Sequence, residues 1–193
     1  ASRGLGDVYK RQLPSRSEIY DELSGVGLIA RKDSLGLGRD MQIEDFAWMV
    51  RDFGERPSAL HLTTEHLLVG GWDGRLPCWN IEGNQEWTTV LPDRIQEIES
   101  DSNNVYATSG LFVVSVTLDN GDLQWQVETE GSADSLIFDS ASEIIFATSS
   151  VYDIEHGDFM ESACWQIDAN SGEVKNCVKF GERPWHLSLQ GVA

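Results

Sequence analysis

The sequence of 193 residues is short of positive charge, with 14 lysine and arginine residues against 32 acidic residues and a formal net charge of −18. Between Ile95 and Val174 there are 16 acidic residues and no lysine or arginine. A nucleic-acid backbone or an anionic membrane needs a basic surface to bind it. The sequence therefore excludes both as partners, and we interpret the acidity as a solvated surface suited to saline surroundings.

Long apolar runs and a cysteine framework are also missing. No run of about 18 apolar residues occurs, so no transmembrane helix is predicted. The three cysteines, Cys78, Cys164 and Cys177, allow at most one disulfide. If a hairpin is centred on Asn170 and Ser171, Cys164 and Cys177 lie opposite each other and could form a disulfide. Two buried thiols that do not meet are the favoured interpretation, because a register slip of one residue would separate them. The compartment stays open, with an extracytoplasmic location favoured.

What the sequence does contain is an internal repeat. The segment Phe53–Pro57 (FGERP) returns at Phe180–Pro184, and the 127 residues between the two divide into two intervals of 38 and one of 51. Other positions follow the same intervals, namely Gly83, Gly121 and Gly172, and Leu60, Ile98, Leu136 and Leu187. Repeats of about 40 residues belong to arrays in which each unit packs on its neighbours.

Each repeat contains short apolar runs with alternating polarity, separated by glycine-containing turns, which predicts antiparallel strands. Asp73–Gly74 and Asn120–Gly121 fit type I′ hairpin turns. Four strands per unit of this length indicate an all-β fold, a partial β-propeller of four-stranded antiparallel blades. We expect three complete blades at about 58–92, 94–130 and 133–181, a further blade beginning at 184, and a preceding blade that ends with the strand Phe46–Val50.

The N-terminal part is not assigned to the repeats. Residues 1–12 (ASRGLGDVYKRQ) look like translated adapter sequence, so we treat them as a non-native leader. Residues 13–45 are interpreted as a poorly defined segment or partial blade, and residues 46–193 as the propeller repeats. Both ends of the sequence look cut, and we expect the rest of the propeller to be missing from this chain.

Two segments, Ile81–Trp87 (IEGNQEW) and Leu118–Trp125 (LDNGDLQW), resemble the PQQ-like, or quinoprotein-type, propeller repeat. The mark of that repeat is Leu-Asp, a turn with glycine, and a tryptophan four residues after the glycine. Around Gly172 the turn is kept, but Asn176 stands in place of the tryptophan. Such a tryptophan is expected to dock on the next blade, with the glycine aiming it. The segment Asp73–Asn80 also resembles the end of a WD repeat.

Functional candidates are expected on the propeller face that carries the loops between blades and the loops between second and third strands. The binding candidates there are Arg56, Arg94, Arg183 and Trp185. The arginines could ring an anion, although pairing with carboxylates such as Glu55 and Glu182 between blades is favoured. Trp185 is equally explained by packing between blades.

The third repeat is 13 residues longer than the others, and we expect most of the excess, Val151–Ser162, to form a loop between its second and third strands. The loop contains potential metal ligands, namely Asp153, Glu155, His156 and Asp158. Their spacing matches no ligand rule, so a solvated acidic loop is the favoured interpretation.

No catalytic motif is found, and no catalytic residue or cofactor is predicted. We therefore predict a non-catalytic β-propeller module that binds a protein or ligand partner as a scaffold. The alternative is a fragment of a quinoprotein dehydrogenase that depends on PQQ and calcium. The resemblance implies that such enzymes use adjacent cysteines beside the cofactor and a Ca²⁺ held at the propeller axis. No two cysteines are adjacent here, but missing blades could hold that site.

Overall fold

A computed structural model describes residues 53–184 and 186–189. These residues form twelve strands in three separate four-stranded antiparallel sheets, and no helix. The all-β prediction with four-stranded blades is confirmed. Four expectations lie outside the described residues: those for residues 1–12, for 13–45, for Phe46–Val50 and for Trp185.

Strand order within each sheet follows chain order. The first blade contains β1 (Pro57–Leu62), β2 (His66–Gly71), β3 (Arg75–Asn80) and β4 (Gln85–Val90). The second contains β5 (Ile95–Ser100), β6 (Asn104–Ser109), β7 (Phe112–Thr117) and β8 (Leu123–Glu128). The third contains β9 (Ser132–Asp139), β10 (Ile144–Asp153), β11 (Asp158–Asp168) and β12 (Val174–Phe180).

The core lies between the sheets. One cluster of buried side chains joins the first and second blades and includes Leu68, Leu76, Ile95 and Val105. A second cluster joins the second and third blades around Tyr106 and includes Ile145 and Ile167. The strands supply these side chains because β-branched and aromatic residues, as in β7 (FVVSVT), suit a pleated sheet with a neighbour on each face.

The first strands of successive blades lie beside one another, β1 beside β5 and β5 beside β9, and each of the three carries a bulge at one repeat position. Ser58, Gln96 and Asp134 occupy this position. A bulge redirects a side chain out of the ladder. In the first two blades the redirected side chain binds a carbonyl of the following blade: Ser58 Oγ donates to Ile95 O at 2.6 Å, and Gln96 Nε2 donates to Ala133 O at 2.9 Å. In the third blade it binds the segment after the blade, where Asp134 Oδ1 accepts from Arg183 Nη2 at 2.7 Å.

The fourth strand of each blade has its own bulge, at Glu86, Gln124 and Lys175. The next residue is Trp87, Trp125 or Asn176. Trp87 Nε1 donates to Leu118 O at 2.8 Å, and Trp125 Nε1 donates to Ala169 O at 2.9 Å. Each tryptophan therefore contacts the turn between the third and fourth strands of the following blade.

The glycines of those turns make room for the rings. Gly121 and Gly172 have φ angles of 74° and 72°. A Cβ at Gly121 would lie 2.5 Å from the Trp87 ring, and one at Gly172 would lie 2.8 Å from the Trp125 ring. Positive φ and close approach both favour glycine, which explains the repeated glycine and tryptophan.

The cysteine register differs from the expectation. Ile167 lies opposite Val174, as a hairpin centred on Asn170 and Ser171 requires, but the bulge at Lys175 shifts the rest of the ladder by one residue. Cys177 therefore lies opposite Trp165 and not opposite Cys164, so the register slip that favours two unlinked thiols is present. Both thiols are free.

The turn type also differs. Gly74 and Gly121 have positive φ, but Asp73 and Asn120 do not, because Glu143 is the only non-glycine residue with positive φ among the described residues. A type I′ turn needs positive φ at both central positions, so that prediction is wrong for Asp73–Gly74 and Asn120–Gly121. Asn120 Oδ1 instead accepts a hydrogen bond from Asp122 N at 3.0 Å, a local bond that stabilises a longer turn.

The extra residues of the third repeat are not a loop. They extend β10 and β11 to 10 and 11 residues and form a hairpin whose turn runs from Asp153 to Asp158. A further blade was expected to begin at 184, but residues 186–189 form no strand, because no described segment pairs with them.

Candidate functional site

The segments between blades pack against the turns that join second and third strands. The guanidinium of Arg94, which follows the first blade, lies 3.9 Å from the centre of the Trp72 ring. A cation over an indole face is a favourable contact. Arg94 Nε is buried without a hydrogen-bond partner among the described residues. The sequence placed Arg94 on this surface, and the structure shows it fixed in a blade junction.

Arg183, which follows the third blade, makes a stronger junction. Its Nη2 lies 2.7 Å from Asp134 Oδ1 and its Nε lies 3.2 Å from Asp134 Oδ2. The two side chains are 20% and 8% exposed. The same guanidinium lies 3.8 Å from the centre of the Phe159 ring. Sequence reasoning missed Asp134, because its side chain reaches Arg183 only through the bulge in β9. Arg56 is exposed, and its backbone N donates to Glu55 Oε1 at 2.9 Å.

The contact with Phe159 fixes the long hairpin of the third blade. Tyr152 and Phe159 pair across β10 and β11 with their ring centres 5.2 Å apart in an edge-to-face arrangement. In the turn that follows this pair, Ile154 is 88% exposed, and Tyr152 and Met160 on the adjoining strand ends are also exposed. Arg183 therefore holds the strand end next to the turn, and Ile154 in the turn itself lies in solvent.

Two acidic residues of this hairpin accept hydrogen bonds within or beside its turn. Asp153 Oδ1 accepts from Glu155 N at 2.8 Å, and Asp153 Oδ2 lies 2.8 Å from His156 Nδ1. The bond from the His156 side chain, with those from the backbone, holds the pKa of Asp153 below its ordinary value. Asp158 Oδ1 accepts from Phe159 N at 2.7 Å. The structure joins Asp153 to His156 but does not bring the four proposed ligands together.

A cleft of about 450 Å³ lies beside the hairpin. An ion pair between Lys179 and Glu130 forms part of its wall. The apolar part of the lining comes from Val151, Met160 and Phe180. The cleft thus continues the apolar surface of the hairpin down the side of the third blade.

Sequence reasoning also missed a cluster in the first blade. Within the described residues, the one group of at least three metal-binding side chains with neighbouring ligand atoms is His66, Cys78 and Glu86. Burial, with the charge of Glu86, raises the pKa of the Cys78 thiol to about 12. The three lie on three different strands, and Glu86 reaches the others from the bulge in β4. No local sequence pattern marked the cluster, because its members meet only through the register of three strands and the bulge in β4.

Comparison with known proteins gives the fold. No family model and no curated protein matches this chain. The computationally designed protein Ika4 is 14% identical, with a TM-score of 0.56 over 66% of this chain and 75% of that one. BamB from Moraxella catarrhalis is 12% identical, with a TM-score of 0.54 over 66% of this chain and 38% of that one. The designed protein Ika8 is 14% identical, with a TM-score of 0.54 over 63% of this chain and 36% of that one.

The fold is a partial β-propeller. The solved structures that it resembles are propeller proteins, and BamB has a PQQ-like propeller. The chain spans little more than a third of the BamB and Ika8 chains. At these identities the likeness shows the fold alone.

The quinone and calcium site of the dehydrogenase alternative and the extracytoplasmic location stay predictions. The described part of the chain contains no helix with the length and hydropathy to cross a bilayer.

Proposed function

We propose that this chain is a non-catalytic propeller module that binds a protein partner through the β10–β11 hairpin of its third blade. The observation that carries the proposal is Ile154, 88% exposed in the turn of a hairpin that Arg183 holds beside that turn, through Phe159. Loops and extensions on a rigid scaffold are the usual place for binding residues. The repeated blade frame supplies the scaffold, and the third blade, which carries the extended hairpin, supplies the binding element.

The energetics favour this hairpin as a contact surface. Full burial of an aliphatic side chain such as Ile154 contributes about 1.5–3 kcal/mol. Tyr152 and Met160 add apolar area on the same hairpin. Because the edge-to-face pair and Arg183 already order the strand ends beside the turn, association immobilises little additional chain.

Charge defines the complementary surface. The hairpin carries Asp153, Glu155, Asp158 and Glu161 and lies in the long segment without lysine or arginine. Complementary potential speeds encounter and selects among partners. The expected partner therefore presents an apolar patch surrounded by lysine and arginine.

The test is selection of a displayed random-peptide library on the immobilised full chain, followed by fluorescence anisotropy with the enriched peptides. We expect peptides that combine apolar residues with lysine or arginine, and a loss of affinity of about tenfold or more in Ile154→Ser, as expected when a large buried contact is removed. The matched control is Leu111→Ser, at the corresponding turn of the second blade, where Leu111 is 47% exposed. Equal affinities for the two variants, or no enrichment of apolar and basic peptides, would refute the proposal.

A further inference from the structure

We propose that His66, Cys78 and Glu86 form a binding site for a divalent transition-metal ion of the zinc type in the first blade. The site is separate from the hairpin and does not depend on the proposed partner-binding function. His66 begins β2, Cys78 lies in β3, and Glu86 is the bulged residue of β4.

The geometry brings the three ligand atoms to one place. All of them lie within 4.8 Å of one another, and His66 Nε2 is 3.3 Å from Glu86 Oε2. Zinc binds thiolate sulfur at about 2.3 Å and imidazole nitrogen or carboxylate oxygen at about 2.0–2.2 Å. Small side-chain rotations bring such atoms around a single ion. Cys78 is fully buried, whereas the His66 and Glu86 side chains are 20% and 36% exposed, so an ion can enter from the solvent side.

The donor set suits a borderline metal. Thiolate and imidazole favour zinc and its neighbours, whereas calcium and magnesium require mostly oxygen ligands. Three protein ligands leave a fourth position for water. Asn80 Nδ2 donates to Glu86 Oε1 at 3.4 Å, a contact that orients the carboxylate from outside the ligand group.

The other blades show that the fold itself does not need these residues. The strand pairings place Asn104, Ser115 and Gln124 at the corresponding positions of the second blade. In the third blade the corresponding residues are Ile144, Gln166 and Lys175. The repeat therefore provides substitutions that the same backbone already accommodates: His66→Asn, Cys78→Ser and Glu86→Gln.

The experiment uses the full chain in a Cys164→Ser, Cys177→Ser background, which removes the two other thiols. Zn²⁺ binding is measured by calorimetry, and Co²⁺ binding by the near-ultraviolet charge-transfer band of a thiolate–cobalt bond. We expect one ion per chain, a thiolate–cobalt band, and a loss of affinity of about tenfold or more in each single variant, in line with the loss of one ligand. His156→Asn, in the hairpin turn, is the control that leaves affinity unchanged.

The refuting results are distinct. Absence of the thiolate–cobalt band, or affinity unchanged in His66→Asn and Glu86→Gln, would leave the cluster as an ion pair above a buried thiol. If the unsubstituted chain binds the metal ion but the Cys164→Ser, Cys177→Ser background does not, the site lies in the third blade. Because His66 and Glu86 are partly exposed, their variants test the site even if Cys78→Ser destabilises the core.

Discussion

The docking of each tryptophan on the glycine turn of the next blade makes a quantitative prediction for Gly121→Ala. The new Cβ would lie 2.5 Å from the Trp87 ring and 2.4 Å from Thr89 Oγ1. The matched control is Gly157→Ala. Gly157 has a similar φ of 68°, but the nearest atom to its added Cβ is Tyr152 Oη at 3.9 Å.

The two substitutions share one destabilising effect and differ in another. Both place an L-residue at positive φ, which costs about 1–2 kcal/mol. Only Gly121→Ala also forces a packed ring and a hydroxyl to move, and overpacking of this kind costs about 1–3 kcal/mol. We therefore expect the free energy of unfolding to fall by about 1–2 kcal/mol in Gly157→Ala and by about 2–5 kcal/mol in Gly121→Ala.

Urea denaturation followed by far-ultraviolet circular dichroism gives the two free energies by linear extrapolation. A double-mutant cycle with Trp87→Leu isolates the ring contact, because a smaller side chain at position 87 removes that contact while the contact with Thr89 Oγ1 remains. We expect a coupling energy between the two substitutions of about 0.5 kcal/mol or more. Equal losses for Gly121→Ala and Gly157→Ala, or no coupling with Trp87→Leu, would refute the argument that ring contact requires this glycine.

Three further predictions concern charge and thiols. Asp134→Asn should reduce the free energy of unfolding by about 1.5–3 kcal/mol, because it removes the carboxylate charge from the two hydrogen bonds that Arg183 donates to Asp134, whereas Glu130→Gln in an exposed pair should have a much smaller effect in the same urea assay. Burial raises the pKa of Glu99 above its ordinary value of 4.5, so its ionisation opposes folding as pH rises; Glu99→Gln should be more stable than wild type at pH 7.5 and equal to it near pH 4. Iodoacetamide followed by intact mass should modify Cys78, which is fully buried, only in denaturant, and the other two cysteines also in the native state.

The sequence was sufficient for the frame of the fold because the repeat is expressed in local patterns. Glycine turns, alternating strands and the spacing between Gly121 and Trp125 all recur, and each is set by short-range geometry. Ring contacts with the next blade then follow from the same positions in the first two units. Local rules failed where one extra residue changes the register.

The bulge at Lys175 is the clearest example. The turn around Asn170 defines the pairing of Ile167 with Val174, and a single unpaired residue then moves Cys177 from Cys164 to Trp165. No local sequence pattern distinguishes a strand with that bulge from one without it. The same limitation hid the His66 cluster, because its members come together only through the register of three strands.

The hairpin of the third blade was misread for another reason. Its acidic residues suggested a solvated loop, but Asp153 and Gly157 belong to a tight turn, and the aromatic pair of Tyr152 and Phe159 continues the strands. Composition favoured a loop, whereas the cross-strand aromatic pair was the informative pattern.

The contacts between blades have a direction. Ser58, Gln96 and Trp87 each belong to the earlier blade and reach a backbone carbonyl of the later one, 31 to 37 residues further along the chain. During synthesis at about 5–20 residues per second, each blade therefore waits about 2–8 seconds for the segment that satisfies it. Until that segment is made, the bulged side chains and the indole ring of the earlier blade remain exposed to solvent and to other molecules. Assembly of this propeller should thus proceed from the first blade onward, each new blade completing the one made before it.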